Sequence, residues 1–319
     1  MKILVTANLP EECLRPLQDN YKVMINRTNQ PMPRFELLSK IFDKDGLLCM
    51  ISDRIDEEVL AKARNLKMIA NCGVGYDNID VRAATARGIK VSNTPDVVTN
   101  ATADLTFSLM MACARRIVEA DRIVRAGEFS SWTPFGFLGT EVSGKILGIV
   151  GMGAIGKAVA RRAKGFNMPV LYFKLRRLTE AEELELNATY VELPTLLKQS
   201  DYVSLHVDLN EETRGLIGKE QLYMMKPSAF LINVARGPVL DESALVEALR
   251  DGVIKGAGLD VYQNEPELTP GLTELRNVVL LPHIGTATIE TRIAMADLAV
   301  RNLIQGLTGQ KPVTCVNCQ

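Results

Sequence analysis

Short apolar runs alternate with polar, helix-periodic segments along the whole chain. Over residues 1–98 the apolar runs fall at 3–6, 23–26, 47–51, 68–71 and 90–92. Later runs fall at 145–150, 169–174, 189–191, 202–206, 230–234, 258–261 and 278–281. Continuous runs of Val, Ile and Leu are typical of parallel strands that helices cover on both faces. The pattern therefore predicts an α/β fold with two doubly wound parallel sheets.

A proline-containing segment at 93–104 interrupts the alternation and begins a long helix, predicted over 100–125 with Thr99 as its N-cap. This helix is apolar around much of its circumference, which is typical of a buried helix, so we expect a crossover between domains and a dimer contact. Residues 127–144, which include Trp132, are interpreted as an exposed aromatic loop. A final helix at 286–305 returns to the first domain. The predicted domains are therefore 1–98 plus 286–319, and 99–285.

The stretch from 145 to 174 carries the strongest local motif. An apolar run enters Gly151-Met-Gly153-Ala154-Ile155-Gly156, which opens a helix that leads back to a second apolar run. A G-x-G-x-x-G turn between a strand and a helix is the dinucleotide fingerprint, with the phosphates on N–H groups at the helix N-terminus. The alternative is a glycine-rich turn in an ordinary α/β sheet. We expect the glycines, Ala154 and Ile155 to bind a cofactor.

Composition excludes several classes of partner. Lys and Arg number 37 and Asp and Glu 38 in 319 residues, so the net charge of −1 favours neither nucleic acid nor a membrane surface. The N-terminus lacks the features of a signal peptide, and no apolar run reaches membrane-spanning length. We therefore expect a cytoplasmic protein whose six cysteines are reduced, including the Cys315 and Cys318 pair in the tail. A zinc site needs about four ligands, and we expect no metal.

Polar residues cluster where predicted strands end, which is where doubly wound sheets bind ligands. An enzyme that uses a nicotinamide cofactor to reduce a carbonyl also needs a proton donor, which is most often a histidine. This chain has two histidines. His283 directly follows the last strand and is the candidate acid, whereas His206 lies nearer the fingerprint and is expected to contact the cofactor. Either histidine could instead be structural.

Three further features have both a functional and a structural interpretation. Glu265 is a candidate partner for an imidazolium or a solvated loop residue. Arg236 follows an apolar strand and is suited to bind a carboxylate, or it forms a structural ion pair. The glycines of 73–80 leave backbone N–H groups available to an anion, or they form a turn in which Asp80 caps a helix.

Six ordered motifs resemble those of the D-isomer-specific 2-hydroxy-acid dehydrogenases over essentially the whole chain. They are GVGYDNID (73–80), GMGAIG (151–156), NVARG (233–237), GLDV (258–261), NEP (264–266) and PHIG (282–285). GVGYDN and FLGTEVSGK (137–145) look like the glyoxylate/hydroxypyruvate reductase branch.

The resemblance implies that NAD(P)H reduces a small 2-oxo acid to the D-2-hydroxy acid. His283 would be the general acid, held protonated by Glu265, and Arg236 would bind the substrate carboxylate and polarise its carbonyl. The N–H groups of Val74 and Gly75 would hold the carboxylate's other side. Further cofactor contacts are implied at Thr102, Val234, Asp260 and Gly285. The implied fold is a Rossmann cofactor domain inserted into a flavodoxin-like substrate domain, and the implied assembly is a homodimer.

The fingerprint normally has an acidic residue at the end of its second strand to bind the ribose 2′-hydroxyl. Here that position is Lys174, followed by Arg176 and Arg177. Cations attract a 2′-phosphate, so we expect NADP(H) to be preferred, with NAD(H) possible. Asp208 is a second departure from the family, with no predicted consequence.

Other functions remain as alternatives. A dehydrogenase of a bulkier 2-hydroxy acid would share these motifs. A phosphite dehydrogenase would have lysine where Val74 stands, which provides a counter-charge for a dianion. A non-catalytic dinucleotide-sensing scaffold would have no need of a proton donor beside Arg236 and Glu265.

Overall fold

The computed structural model describes residues 1–318. The chain forms two compact units, one from Met1–Val98 with the described residues of Thr286–Gln319, and one from Thr99–Gly285. Within residues 1–318 the strands are β1 (Lys2–Val5), β2 (Lys22–Ile25), β3 (Gly46–Met50), β4 (Met68–Cys72), β5 (Lys90–Ser92), β6 (Leu147–Val150), β7 (Val170–Phe173), β8 (Ala188–Tyr190), β9 (Tyr202–Leu205), β10 (Phe230–Asn233), β11 (Gly256–Leu259) and β12 (Val278–Leu280).

The described α-helices lie between these strands or follow them. They are α1 (Glu11–Gln18), α2 (Arg34–Lys40), α3 (Glu57–Lys62), α4 (Val81–Ala86), α5 (Thr99–Ala114), α6 (Ile117–Arg125), α7 (Ala154–Ala163), α8 (Glu180–Leu186), α9 (Leu193–Gln199), α10 (Lys219–Met224), α11 (Glu242–Arg250) and α12 (Ile289–Leu307). Single 3₁₀ turns occur at Ile41–Asp43, Lys164–Phe166, Gly237–Val239 and Leu272–Glu274.

The first unit has a five-stranded parallel sheet in the order β2-β1-β3-β4-β5, which is the flavodoxin order. Its central strands are buried, as the continuous apolar runs of the sequence predict. The C-terminal helix α12 packs against β3, β4 and β5 and against α1. This unit is therefore built from both ends of the chain.

The second unit has a seven-stranded parallel sheet in the order β12-β11-β10-β9-β6-β7-β8. Read from β8, this is the Rossmann order, in which the direction of strand succession reverses between β6 and β9. Apolar side chains cover both faces, in one cluster with α5 and α7 and another with α10 and α11. The predicted α/β fold with two doubly wound parallel sheets is confirmed.

The single helix predicted over 100–125 is wrong, because the structure has two helices there. Helix α5 begins at Thr99 itself, and Arg116 separates it from α6 with a left-handed φ of 55°. The Arg116 guanidinium hydrogen-bonds to Glu119 and lies 4.0 Å from the centre of the Phe137 ring. Of the two helices, only α5 has buried residues, so the apolar circumference applies to that half alone. The aromatic loop is exposed as predicted, with Trp132 78% accessible.

The expectation of reduced cysteines is wrong for the tail. Cys315 and Cys318 form a disulfide, and their Cα atoms lie 5.6 Å apart, a separation that disulfides ordinarily span. The other four cysteines are free and buried: Cys13, Cys49, Cys72 and Cys113. None of the helices in residues 1–318 is both long and apolar enough to cross a bilayer.

Candidate active site

The G-x-G-x-x-G turn lies at the switch point of the seven-stranded sheet, between the carboxyl ends of β6 and β9. Gly151 has a φ of 98°, and a Cβ there would lie 2.5 Å from the carbonyl oxygen of His206. A Cβ on Gly156 would lie 2.3 Å from the carbonyl oxygen of Gly151, whereas the space beside Gly153 is open. Helix α7 begins at Ala154, so its first N–H groups have no acceptor within the helix. These residues fit a dinucleotide pyrophosphate.

His206 follows β9 beside this turn, and its surroundings keep it neutral. Its Nε2 atom lies 2.8 Å from the hydroxyl of Ser204, a buried residue of β9. Burial lowers the pKa of His206 to about 3. An imidazole that stays neutral at neutral pH can hydrogen-bond to a ligand but is a poor proton donor.

The three cations after β7 have different surroundings. Lys174 is partly buried, and its Nζ atom lies 3.3 Å from the carbonyl oxygen of Met152 in the glycine-rich turn. Arg177 makes two hydrogen bonds of 2.8 Å to the Glu183 carboxylate. This contact, with the hydroxyl of Tyr172, lowers the pKa of Glu183 to about 2, so Arg177 is already neutralised. Arg176 is exposed. The two cations suited to a 2′-phosphate are therefore Lys174 and Arg176.

His283, after β12, is paired with a carboxylate. Its Nδ1 atom lies 2.8 Å from Oε2 of Glu265, and the two side chains are 28% and 35% exposed. Burial raises the pKa of Glu265. It is lowered more by the hydrogen bond and charge of His283, by the N–H of Tyr262 and by the charge of Arg236, so the pKa of Glu265 lies below its ordinary value. The carboxylate accepts the hydrogen bond from Nδ1 and so fixes the orientation of the ring. The pair leaves Nε2 as the nitrogen that can donate to a ligand.

The turn that carries His283 is fixed by Asp260, which lies just after β11 and is 1% exposed. Its two carboxylate oxygens accept hydrogen bonds of 2.7 Å from the N–H groups of Ile284 and Gly285. Burial raises the pKa of Asp260, and these donors and the charge of His283 offset only part of that rise. His283 has a left-handed φ of 54°, a conformation in which histidine is found more often than most residues. Asp260 thus fixes the turn that carries His283, and its predicted cofactor contact stays a prediction.

Two residues that the sequence did not single out, Tyr262 and Glu242, fix the position of the loop that carries Glu265 through hydrogen bonds. The N–H of Tyr262 donates to Oε1 of Glu265, and its hydroxyl donates to the carbonyl oxygen of Leu281, two residues before His283. Glu242 is 1% exposed and accepts hydrogen bonds from the N–H of Gln263 and the hydroxyl of Thr269. In the sequence Glu242 looks like an ordinary acidic residue in the first turn of a helix, so no signal marked it.

Arg236 follows β10 in a tightly fixed turn. The buried Asn233 side chain donates to the Arg236 carbonyl oxygen and accepts from the N–H of Ala235, each at 3.0 Å. A Cβ on Gly237 would lie 1.9 Å from the carbonyl carbon of Tyr262, so only glycine lets the two chain segments meet here. Arg236 is partly buried and close enough to influence Glu265 electrostatically. The structure thus brings Arg236, Glu265 and His283 together in the second unit.

Two other predicted cofactor residues lie along the same edge of this unit. Thr102 is 5% exposed in α5, and its hydroxyl would lie 3.7 Å from a Cβ on Gly285. Val234 directly follows β10 and is 8% exposed. Their cofactor contacts, like that of Gly285, remain predictions.

In the first unit, the loop after β4 has its carbonyl groups bound by protein donors. The carbonyl oxygen of Gly73 accepts a hydrogen bond of 2.9 Å from the N–H of Thr94. The carbonyl oxygen of Val74 accepts one of 2.8 Å from Asn93 Nδ2, and that of Gly75 accepts one of 2.8 Å from Asn71 Nδ2. The N–H groups of Val74 and Gly75 have no hydrogen-bond acceptor within residues 1–318. Successive N–H groups of this kind bind anions. Asp80 caps α4 through the N–H of Ala83, as predicted, so the cap and the unpaired N–H groups of Val74 and Gly75 occur in the same loop.

Comparison with known proteins identifies the family. Residues 107–285 match the sequence model described as "D-isomer specific 2-hydroxyacid dehydrogenase, NAD binding domain". The glyoxylate reductase of Pyrococcus furiosus is 50% identical over 320 residues, covering 99% of this chain and 95% of the relative. This chain is a D-isomer-specific 2-hydroxyacid dehydrogenase. It is therefore an oxidoreductase, and its second unit binds a nicotinamide dinucleotide.

Two solved structures have the same fold over nearly their full length. The TT0316 protein from Thermus thermophilus is 44% identical, with a TM-score of 0.91 and coverage of 99% of this chain and 100% of that one. An NADPH-dependent glyoxylate/hydroxypyruvate reductase from Sinorhizobium meliloti, solved with NADP and malonate, is 31% identical, with a TM-score of 0.88 and coverage of 99% and 96%.

Proposed function

We propose that this dehydrogenase reduces glyoxylate, hydroxypyruvate or a similarly small 2-oxo acid to the D-2-hydroxy acid. The observation that carries the proposal is the 2.8 Å contact between His283 and Glu265 beside Arg236. A proton donor, a carboxylate that orients it through a hydrogen bond and a cation for an acidic substrate are the groups that such a reduction needs. The names of the P. furiosus and S. meliloti relatives support the choice of substrate.

The bound nicotinamide supplies the hydride. His283 donates the proton from Nε2 to the carbonyl oxygen, because Nδ1 is engaged by Glu265. Glu265 stabilises the imidazolium before transfer, and Asp260 holds the turn so that the ring keeps one orientation. Arg236 binds the substrate carboxylate and polarises the carbonyl. In the first unit, the N–H groups of Val74 and Gly75 are proposed to bind a substrate carboxylate.

The second unit is proposed to bind NADPH in preference to NADH. Lys174 lies at the glycine-rich turn, where an NAD-specific site would have an acidic residue that repels a 2′-phosphate. Arg176 adds a second exposed cation. Arg177 contributes less than its position in the sequence suggests, because Glu183 neutralises it.

The first unit is proposed to act as the substrate domain, and the chain to form a homodimer. Support for a dimer comes from exposed apolar side chains of the segment after α6, including Phe129, Trp132, Phe135 and Leu138, which a monomer would leave in water. Light scattering at micromolar concentration tests the assembly.

Initial rates with glyoxylate and hydroxypyruvate, each with NADPH and with NADH, test the function. Strong turnover with either acid and a higher kcat/KM for NADPH are expected. Turnover with NADH alone would retain the enzyme and remove the proposed phosphate site. Absence of turnover with both acids, in a protein that still binds cofactor, would point to a bulkier 2-oxo acid.

A further inference from the structure

The tail after α12 lies along the open edge of the five-stranded sheet. The N–H of Val316 donates to the carbonyl oxygen of Val91 in β5, at 2.8 Å, and Cys315 forms an antiparallel bridge with Ser92. The Asn317 side chain accepts from the N–H of Val91 and donates to the carbonyl oxygen of Ile89, at 2.8 and 2.9 Å. The tail therefore pairs with an edge strand that would otherwise expose its backbone groups.

The Cys315–Cys318 disulfide closes a four-residue ring around this contact. Val316 and Asn317, whose backbone and side chain bind β5, are the two residues within the ring. Both cysteines are partly exposed, in contrast to the four buried free cysteines. Thiol–disulfide exchange needs an accessible sulfur, and in a Cys-x-x-Cys pair the second thiol completes the exchange when the pair is reoxidised.

Hydrogen bonds connect the tail to the loop that is proposed to bind the substrate carboxylate. The hydroxyl of Thr314, one residue before the disulfide, donates to the Asn93 carbonyl oxygen at 2.6 Å, and the N–H of Asn93 donates to the carbonyl oxygen of Thr314. The buried Asn302 donates to both the Thr314 hydroxyl and the Asn93 carbonyl oxygen. The Asn93 side chain in turn holds the carbonyl oxygen of Val74 at 2.8 Å. Two hydrogen-bonded residues thus separate Cys315 from Val74.

We propose that Cys315 and Cys318 form a reversible redox site whose state sets the affinity for the 2-oxo acid. The reductant is a dithiol: one of its thiolates attacks a sulfur of the disulfide and releases the other cysteine as a thiolate. Its second thiol then attacks the mixed disulfide and releases the remaining cysteine as a thiolate. Two electrons and two protons pass to the protein, and the dithiol becomes a cyclic disulfide.

Reduction opens the ring and loosens the pairing of the tail with β5, so Asn93 and the Val74 carbonyl are held less firmly. The N–H groups of Val74 and Gly75 then lose their fixed orientation, and the substrate carboxylate binds more weakly. The link from affinity to catalysis rests on the proposed function of this loop.

Steady-state kinetics with glyoxylate, after incubation with dithiothreitol or with its oxidised form, test the effect on the substrate. We expect the KM for glyoxylate to rise about fivefold on reduction, a typical size of coupling between two sites, with little change in kcat. The double variant Cys315→Ser/Cys318→Ser should have the higher KM in both conditions. Thr314→Val, which keeps the disulfide but removes the hydroxyl bound to Asn93, should raise the KM of the oxidised protein.

Hydrogen exchange measured by mass spectrometry tests the coupling without reference to turnover. Reduction is expected to speed exchange in peptides covering both 311–318 and 72–78, and to leave a peptide covering β9 unchanged. Equal exchange of 72–78 in both states, or a tail that dithiothreitol does not reduce, would overturn the inference. Faster exchange of 72–78 on reduction with an unchanged KM for glyoxylate would instead contradict the proposed function of the loop.

Discussion

The two histidines of this chain lie at the same edge of one parallel sheet, yet their surroundings differ. His206 follows β9, contacts the neutral hydroxyl of Ser204, and has a pKa lowered by burial to about 3. His283 follows β12, is 28% exposed, and contacts the carboxylate of Glu265. The position at a strand end is shared, so it does not select the acid. The partner and the degree of burial differ, and these differences support the proposal that His206 contacts the cofactor and His283 donates the proton.

Replacement of His283 should have the largest effect. His283→Asn removes the proton donor but keeps a polar side chain of similar shape, so kcat is expected to fall about 10²- to 10⁴-fold. Cofactor affinity, measured by quenching of protein fluorescence, should persist. The matched variant His206→Asn should act mainly on the KM for the cofactor. An equal loss of kcat in both variants would remove the distinction between the two histidines.

Glu265→Gln should have the next largest effect, because it keeps the shape of the pair and removes its charge. We expect kcat/KM to fall roughly tenfold to a hundredfold, less than for loss of the acid itself.

The lowered pKa of Glu265 also has a consequence for stability. Its contribution is present above the unfolded-state pKa of about 4.3 and is lost as the pH falls through the lower folded-state pKa.

Urea unfolding of wild type and Glu265→Gln between pH 7 and pH 3 measures that contribution. The difference in unfolding free energy should be constant above about pH 5 and should shrink below about pH 4. A difference that does not depend on pH would show that charge is not what the carboxylate provides.

The next prediction concerns cofactor preference, which depends on the cations near the glycine-rich turn. Lys174→Asp should lower the NADPH/NADH ratio of kcat/KM about tenfold or more, because a carboxylate there repels a 2′-phosphate. Arg177→Gln should lower it less, since Glu183 already neutralises that guanidinium. If Arg177→Gln has the larger effect, the phosphate lies nearer α8 than the glycine-rich turn.

The last prediction concerns acid stability, to which His206 contributes without any role in turnover being needed. Its lowered pKa means that the unfolded chain binds a proton that the folded chain does not, so stability is lost as the pH falls from about 6.5 towards 3. The slope is about 1.4 kcal/mol for each pH unit in that window. His206→Gln should remove this part of the pH dependence, as measured by urea unfolding at pH 7, 6 and 5. An unchanged slope would mean that His206 is accessible to protons in the folded protein.

The fold was predictable from the sequence because its signals are local and repeated. Continuous apolar runs mark covered parallel strands, and the glycines at 151, 153 and 156 act through the turn that they themselves form. The candidate residues Arg236, Glu265 and His283 were found because each follows a predicted strand or loop in a recognisable motif.

What could not be predicted depends on partners distant in the sequence. The break between α5 and α6 depends on Phe137 and Glu119 around Arg116, and neither is a helix-breaking residue. Glu242 and Tyr262 support Glu265 through contacts that only the folded loop creates. Arg177 could be counted as a free cation until Glu183 was seen beside it. The tail disulfide required knowledge that β5 holds Cys315 in place.

The first unit is built from both ends of the chain, which has a consequence for protein synthesis. On the ribosome, all residues of the second unit emerge before α12, the helix that packs on β3, β4 and β5. The five-stranded sheet of the first unit therefore keeps an apolar face exposed until α12 has been synthesised. The second unit, which is continuous in sequence, can already fold during that time. We expect limited proteolysis of nascent chains stalled beyond Gly285 to spare the second unit and to cut within 1–98. The unit translated first is the one completed last.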